Sequence, residues 1–275
     1  MKSIIKEEFE IYSFLDNLNG NNAKEIVDKI INEVPFIKNI EYAGVDKELL
    51  KDLFNRFVLD HNSNNQFFEI NDKENEKALN ISKETLMKLK PFSNSIKYIF
   101  IFPCFDRFTL ESMNGLGGFC SSKNVILVFF NKNGKNWERY LKETICHEFA
   151  HSVSDFYKGG EFSVGEGLIF EGLAEHFREN IIGGEHAPYS KALSVDEIKK
   201  YLNELKPKLN SMDWDFYMEV FYGTGKYPNW IGYSIGYYLI KNYLNKKFQD
   251  EKVDWNKLLR ENPKYILGKT YKHKE

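Results

Sequence analysis

The chain has 275 residues, 42% of them hydrophobic and 16% aromatic, enough to bury a substantial core as one catalytic unit. Its formal net charge of -2, with Lys and Glu interspersed throughout, gives no electrostatic argument for a nucleic-acid partner. No apolar run approaches the roughly 20 residues that span a bilayer, the first residues are charged where a secretory signal is apolar, and three cysteines without a CxxC spacing cannot all pair, so a cytoplasmic protein with no membrane association is expected.

Residues 1–90 read as a mostly helical, polar region, with helices around 23–33 and 46–59, loops at 17–23 and 61–65, and no evident chemistry. Residues 91–157 read as an upper lobe. There, Ile96-Lys97-Tyr98-Ile99-Phe100-Ile101-Phe102 is a buried strand by its β-branched and aromatic content. Gly115-Leu116-Gly117-Gly118-Phe119-Cys120 before Asn124-Val125-Ile126-Leu127-Val128-Phe129-Phe130 reads as a hairpin, completing a small mixed sheet that leads into a helix.

That helix, expected over 138–157, carries Cys146-His147-Glu148-Phe149-Ala150-His151. Leu141, Ile145, Phe149, Val153 and Phe156 form its apolar stripe, while Tyr140, Thr144, His147 and His151 occupy a different face. Histidines four apart lie one above the other, so both imidazoles reach one metal ion with Glu148 beside the open coordination position. Neutral imidazoles and a carboxylate suit Zn²⁺, whose bound water has a pKa near about 7 and whose charge polarises a scissile carbonyl. Glu148 is then the general base that takes a proton from water and passes it to the leaving amine. Cys146 points about 100° away from His147 around the helix and reads as a small core residue.

Residues 158–275 read as a mainly helical lower lobe. A helix over 168–182 stops near Gly183-Gly184 and carries Glu171 and Glu175 one turn apart. Glu171, twenty residues beyond His151, is the third metal ligand, and Glu175 accepts a hydrogen bond from the outer nitrogen of a ligand histidine. Asp155, one turn beyond His151, is a similar supporting candidate; solvated surface charge is the competing reading for Glu175 and Asp155 alike. Ser194-Val195-Asp196-Glu197 is a capping box opening a helix to about 205, residues 213–222 and 254–260 look helical, and 229–244 reads as a buried helix in which Gly232 and Gly236 permit close approach of another backbone.

The pattern His147-Glu148-x-x-His151-x-Val153-x-Asp155-Phe156, then Glu171-x-x-x-Glu175, resembles the gluzincins, the thermolysin-like metallopeptidases, except that thermolysin has Asp where Glu175 stands here. It is more closely similar to a bacterial family of predicted zinc-dependent proteases marked by HExxH, an EGLAE-type helix and a GYxxGY segment, here Gly232-Tyr233-Ser234-Ile235-Gly236-Tyr237. The similarity covers roughly residues 95–270 and implies an α+β, zincin-like, two-lobed fold with peptidase chemistry. It further implies a Tyr or His that stabilises the oxyanion of the tetrahedral intermediate. Tyr233 is the first candidate, Tyr237 and His186 are alternates, and aromatic core packing is the competing reading. An edge strand at Gly117, Gly118 and Phe119 would pair with an extended substrate, against the plainer reading of a turn or bulge.

The expectation is a zinc metallopeptidase holding one Zn²⁺ per chain and acting on a peptide or protein substrate. An endopeptidase is favoured, because no GxMEN-like segment for a free amino terminus is present. The alternatives are a non-catalytic peptide-binding or regulatory module, which has no need of Glu148, and a zinc hydrolase of a non-peptide amide or ester.

Overall fold

The six apolar residues Val125-Ile126-Leu127-Val128-Phe129-Phe130 are buried at every position, as befits a strand covered on both faces. In a computed structural model, which describes residues 1–16, 23–33, 47–57, 70–157, 161–184, 187–249 and 251–271, this run lies within a five-stranded mixed sheet. The strands are β1 (Lys2–Ile5), β2 (Phe9–Ser13), β3 (Lys97–Pro103), β4 (Leu116–Ser122) and β5 (Val125–Phe130), in the order β1-β2-β3-β5-β4. β2, β3 and β5 run parallel, and the outer strands β1 and β4 are antiparallel to their neighbours. The expected hairpin is therefore present, and β4 is an edge strand with a register irregularity between Cys120 and Ser122.

The chain separates into two compact units, Met1–Ser152 and Val153–Glu275, each with its own core. In the first, helices α1 (Ala23–Glu33) and α2 (Lys47–Phe57) fall where periodicity puts them, and α3 (Asp72–Leu89) opens on a reciprocal Asn71–Glu74 capping box. Of the loop expected at 17–23, residues 17–22 lie outside the described residues and Ala23 opens α1, and the loop expected at 61–65 lies wholly outside them. The helical reading of the amino-terminal residues is corrected by β1 and β2. Phe9, Ile11 and Tyr12 are β-formers, and they pair in parallel with residues 97–101, a partnership almost ninety positions away that no local window displays. Rings stack across that pair at Tyr12–Phe100 and Phe14–Phe102. Short α4 (Arg107–Ser112) precedes β4, and α5 (Trp137–Val153) closes the unit.

The second unit is helical: α6 (Val164–Ile182), α7 (Val195–Leu205), α8 (Trp214–Tyr222), α9 (Ile231–Phe248), α10 (Trp255–Leu258) and α11 (Pro263–Tyr271). α6 begins four residues earlier than expected, at a Ser163–Glu166 capping box hidden by Gly165 and Gly167, which look like helix breakers. The structure gives those glycines a packing reason. A Cβ on Gly165 would fall 2.7 Å from Leu267 Cδ2, and one on Gly167 would fall 3.0 Å from the Tyr217 ring. The helix ends at Gly183, with φ +76, as the sequence suggests.

Glycines also set the crossing of α6 and α9. A Cβ on Gly172 would stand 2.3 Å from Gly236 O, and one on Gly236 would stand 2.2 Å from Leu168 O, so the two backbones touch. Gly232 is instead filled by the Phe221 ring of α8, at 2.7 Å. Because the obstacle at Gly236 is backbone that cannot swing aside, Gly236→Ala is expected to cost about 3 kcal/mol, the upper end of ordinary overpacking. Gly268→Ala, on α11 with nothing within 4 Å of the added methyl, should leave the denaturation midpoint nearly unchanged or raise it. Equal midpoints for the two variants would refute this account of the helix crossing. Among the described residues, no helix is long and apolar enough to cross a membrane.

Candidate metal centre

α5 is held from both ends of its length. Leu141, Ile145 and Phe149 bury its apolar stripe. At its end the buried Lys97 of β3 donates to the Ser152 carbonyl at 2.9 Å and also to the Lys123 carbonyl, placing a cation where the last carbonyls lack helical partners. The helix stops at Val153, short of the expected 157. Phe156 consequently leaves the stripe and is exposed, and Asp155 lies exposed in a bend, so the one-turn argument that put Asp155 on the histidine face does not apply.

His147, Glu148 and His151 are all buried. The two imidazole rings cross at 78° with Nε2 atoms 3.2 Å apart. Two nitrogens bound at 2.0 to 2.1 Å around a tetrahedral centre are separated by about 3.3 Å, so this spacing is the one a shared zinc ion requires. Ligand atoms of His147, His151 and Glu171 lie within 4.8 Å of one another. Two imidazoles and one carboxylate are also the donor set of catalytic zinc, so the residues fit the metal on spacing and on chemistry.

β4 comes close to the proposed base. A Cβ on Gly118 would fall 2.6 Å from both Cγ and Oε1 of Glu148 and 2.8 Å from Thr144 Cγ2, so only a glycine lets the strand lie this near. Gly117 faces the other way, toward Phe129 and Thr109, and Phe119 pairs with Leu127. Among the described residues, no strand pairs with the outer side of β4. Nearby Cys120 is buried, and burial together with the Glu148 charge pushes its thiol pKa well up, leaving an inert protonated thiol. No disulfide joins Cys104, Cys120 or Cys146, and all three are buried.

On α6, Glu171 and Glu175 are both buried, one turn apart. Glu175 accepts from the guanidinium of Arg178, from Ala187 N at 3.2 Å and from the Tyr189 hydroxyl at 3.3 Å. A fully buried Arg178 beside a buried Glu175 neutralises the carboxylate, since either charge alone would be costly there. Tyr233, on α9, is half-buried among Tyr189, Phe221 and Tyr222. Burial, then Tyr222 and the Glu171 carboxylate, raise its pKa well above that of an ordinary phenol, so the hydroxyl keeps its proton. Tyr233 thus packs in an aromatic cluster and stands near Glu171 at once. Tyr237 is engaged elsewhere, donating to Glu179 Oε2 at 3.1 Å and stacking on His176 at 4.2 Å. His186 lies outside the described residues.

A family model described as "Predicted Zn-dependent protease (DUF2268)" matches residues 69–267, most of the chain. The chain belongs to this family. Among curated proteins it is similar to the uncharacterised protein YjfC of Bacillus subtilis (strain 168), 27% identical over 152 residues that cover 50% of each chain. The chain thus spans about half the length of that curated relative. No solved structure gives a significant match. The family description agrees with a buried site of two histidines and a glutamate.

Three contributors escaped the sequence. Arg178 follows Glu175 by three positions on one helix, a signal that was available. Lys97 announces itself only as the one charge inside an apolar strand. Tyr189 reaches Glu175 through a 3-10 turn, Pro188–Lys191, whose return onto α9 is fixed by Ser234 Oγ donating to Tyr189 O at 2.9 Å and accepting from Ala192 N at 3.1 Å.

Proposed function

We propose that this chain is a zinc-dependent metallopeptidase of the gluzincin type and zincin architecture, acting as an endopeptidase with one zinc ion per chain. His147, His151 and Glu171 hold the ion. The observation that carries the reading is the 3.2 Å separation of the two Nε2 atoms within the three-ligand group. When bound, zinc supplies Lewis acidity, which acidifies water and polarises the scissile carbonyl.

The protein's own groups do the rest. Glu148 takes a proton from the attacking water on its carboxylate and returns it to the departing amine, so one group serves as base and then as acid. Gly118 brings the outer edge of β4, unpaired among the described residues, to Glu148, where an extended peptide adds as a further strand through main-chain hydrogen bonds. Glu175, charge-balanced by Arg178, supports the site from one turn beyond Glu171. The Tyr233 phenol, kept protonated, donates to the oxyanion that forms on the carbonyl. Three buried cysteines joined by no disulfide suit a reducing cytoplasm.

Elemental analysis of the purified protein, with cleavage of a quenched-peptide library on the same samples, tests this reading. Close to one zinc per chain with internal cleavage is expected. Zinc without cleavage would transfer support to a peptide-binding module or to a non-peptide substrate, and well-folded protein unable to take up zinc would remove the metal assignment.

A further inference from the structure

Tyr222 and Trp230 stand at the two stems of one loop. Tyr222 is the last residue of α8 and 37% exposed; Trp230 immediately precedes α9 and is half-buried. The neck between them is closed, because Gly223, at φ +63, lies so near the next stem that a Cβ there would meet Asn229 Cα at 2.8 Å. The two stems that carry these aromatic side chains are therefore fixed relative to each other by backbone.

Trp230 adopts φ +66, ψ 14, a left-handed conformation that bulky side chains resist and that glycine or asparagine adopts readily. It occupies the N-cap position of α9 and supplies no side-chain cap hydrogen bond, the usual reason for a residue's identity there. Neither backbone conformation nor capping selects tryptophan. What the position does provide is a ring held against Tyr189, at 6.5 Å and 70°. Backbone strain of this kind concentrates at ligand sites, where the placement of a side chain outweighs its conformational cost.

Two of these rings meet Tyr233 directly. Tyr189 meets it at 5.0 Å and 52°, and Tyr222 at 6.5 Å and 88°. Tilted and edge-on crossings leave ring edges and faces in alternation, the arrangement that engages another aromatic ring. Tyr189 also donates to Glu175 Oε2 at 3.3 Å, one helical turn from Glu171 on α6, which puts this collar beside the third metal ligand.

We propose that Tyr189 and Tyr222, which meet Tyr233, together with Trp230, held against Tyr189, form a subsite that receives an aromatic side chain of the peptide bound at the metal centre. The proposal rests on the metallopeptidase reading and names its substrate class: peptides with an aromatic residue beside the scissile bond.

The test uses paired quenched peptides that differ only by Phe or Ala at a position flanking the cleavage site. They are cleaved by wild type, Trp230→Gly and Tyr222→Ala, with zinc content measured for each. The same peptides are titrated by fluorescence anisotropy onto zinc-loaded Glu148→Gln, which reports binding without turnover. Trp230→Gly removes the ring and suits the left-handed backbone, so its fold is expected to hold. Wild type should favour Phe over Ala at one position by about tenfold or more in kcat/KM, and Glu148→Gln should show the same preference in Kd. In Trp230→Gly the ratio should fall toward one, with zinc content unchanged. Absence of a Phe preference in Kd, or a preference that survives both collar substitutions, would overturn the subsite. Selective binding by Glu148→Gln with no cleavage by wild type would leave the subsite standing and sink the peptidase reading instead.

Discussion

Glu148→Gln is expected to bind zinc as the wild type does and to cleave peptides about 10² to 10⁴-fold more slowly, the range for loss of a general base. His147→Ala and Glu171→Ala should instead lose metal and cleavage together. The contrast follows from what each group does. An amide has the size and shape of the carboxylate, so it fits the same buried space under Gly118, but it cannot take a proton from water. The proposed ligand residues bring three donor atoms within 4.8 Å of one another, and removing any of them would leave too few ligands to close around zinc. Zinc per chain and kcat, measured on the same preparations, separate the two roles. Full turnover in Glu148→Gln would eliminate it as the base, while zinc retained in both ligand variants would eliminate the proposed ligand set.

What was readable in the sequence was local. His147 and His151 are a single helical turn apart, so their common face follows from periodicity, and Glu171 and Glu175 are related in the same way on α6. The all-apolar β5 and the capping box at Ser194 are also signals contained within a few residues. The parallel pairing of β2 with β3 is not, because its register joins Phe9 to Lys97 and leaves no mark in either strand alone. Helix ends were the weakest local inference. Asp155 looked like a member of the histidine face only while α5 was carried past Val153. The collar around Tyr233 was hidden for a different reason: Tyr189, Tyr222 and Trp230 come from three separate segments, assembled by a turn, a closed loop neck and a left-handed residue whose geometry composition does not reveal.

Gly118→Ala should reduce turnover by about 10²-fold while leaving zinc binding and the denaturation midpoint close to wild type. The added methyl would fall 2.6 Å from Glu148 Oε1 and Cγ and 2.8 Å from Thr144 Cγ2, so its obstacles are side chains rather than backbone. The carboxylate can move away at little cost in stability, unlike the rigid obstacle at Gly236. In moving, it would leave the position from which the proposed base reaches the attacking water, and displacements of about 1 Å at reacting groups carry rate penalties of this size. His147 and His151 lie on other positions of α5 and need not shift, so zinc is retained. Gly117→Ala is the matched control, because its Cβ would sit at ordinary contact distance, 3.6 Å from the Phe129 ring, on the other face of the same edge strand. A loss confined to Gly118→Ala would tie the defect to Glu148. Equal losses in both variants would point to damage of the peptide-binding edge itself, and no loss in either would show that β4 does not constrain the base.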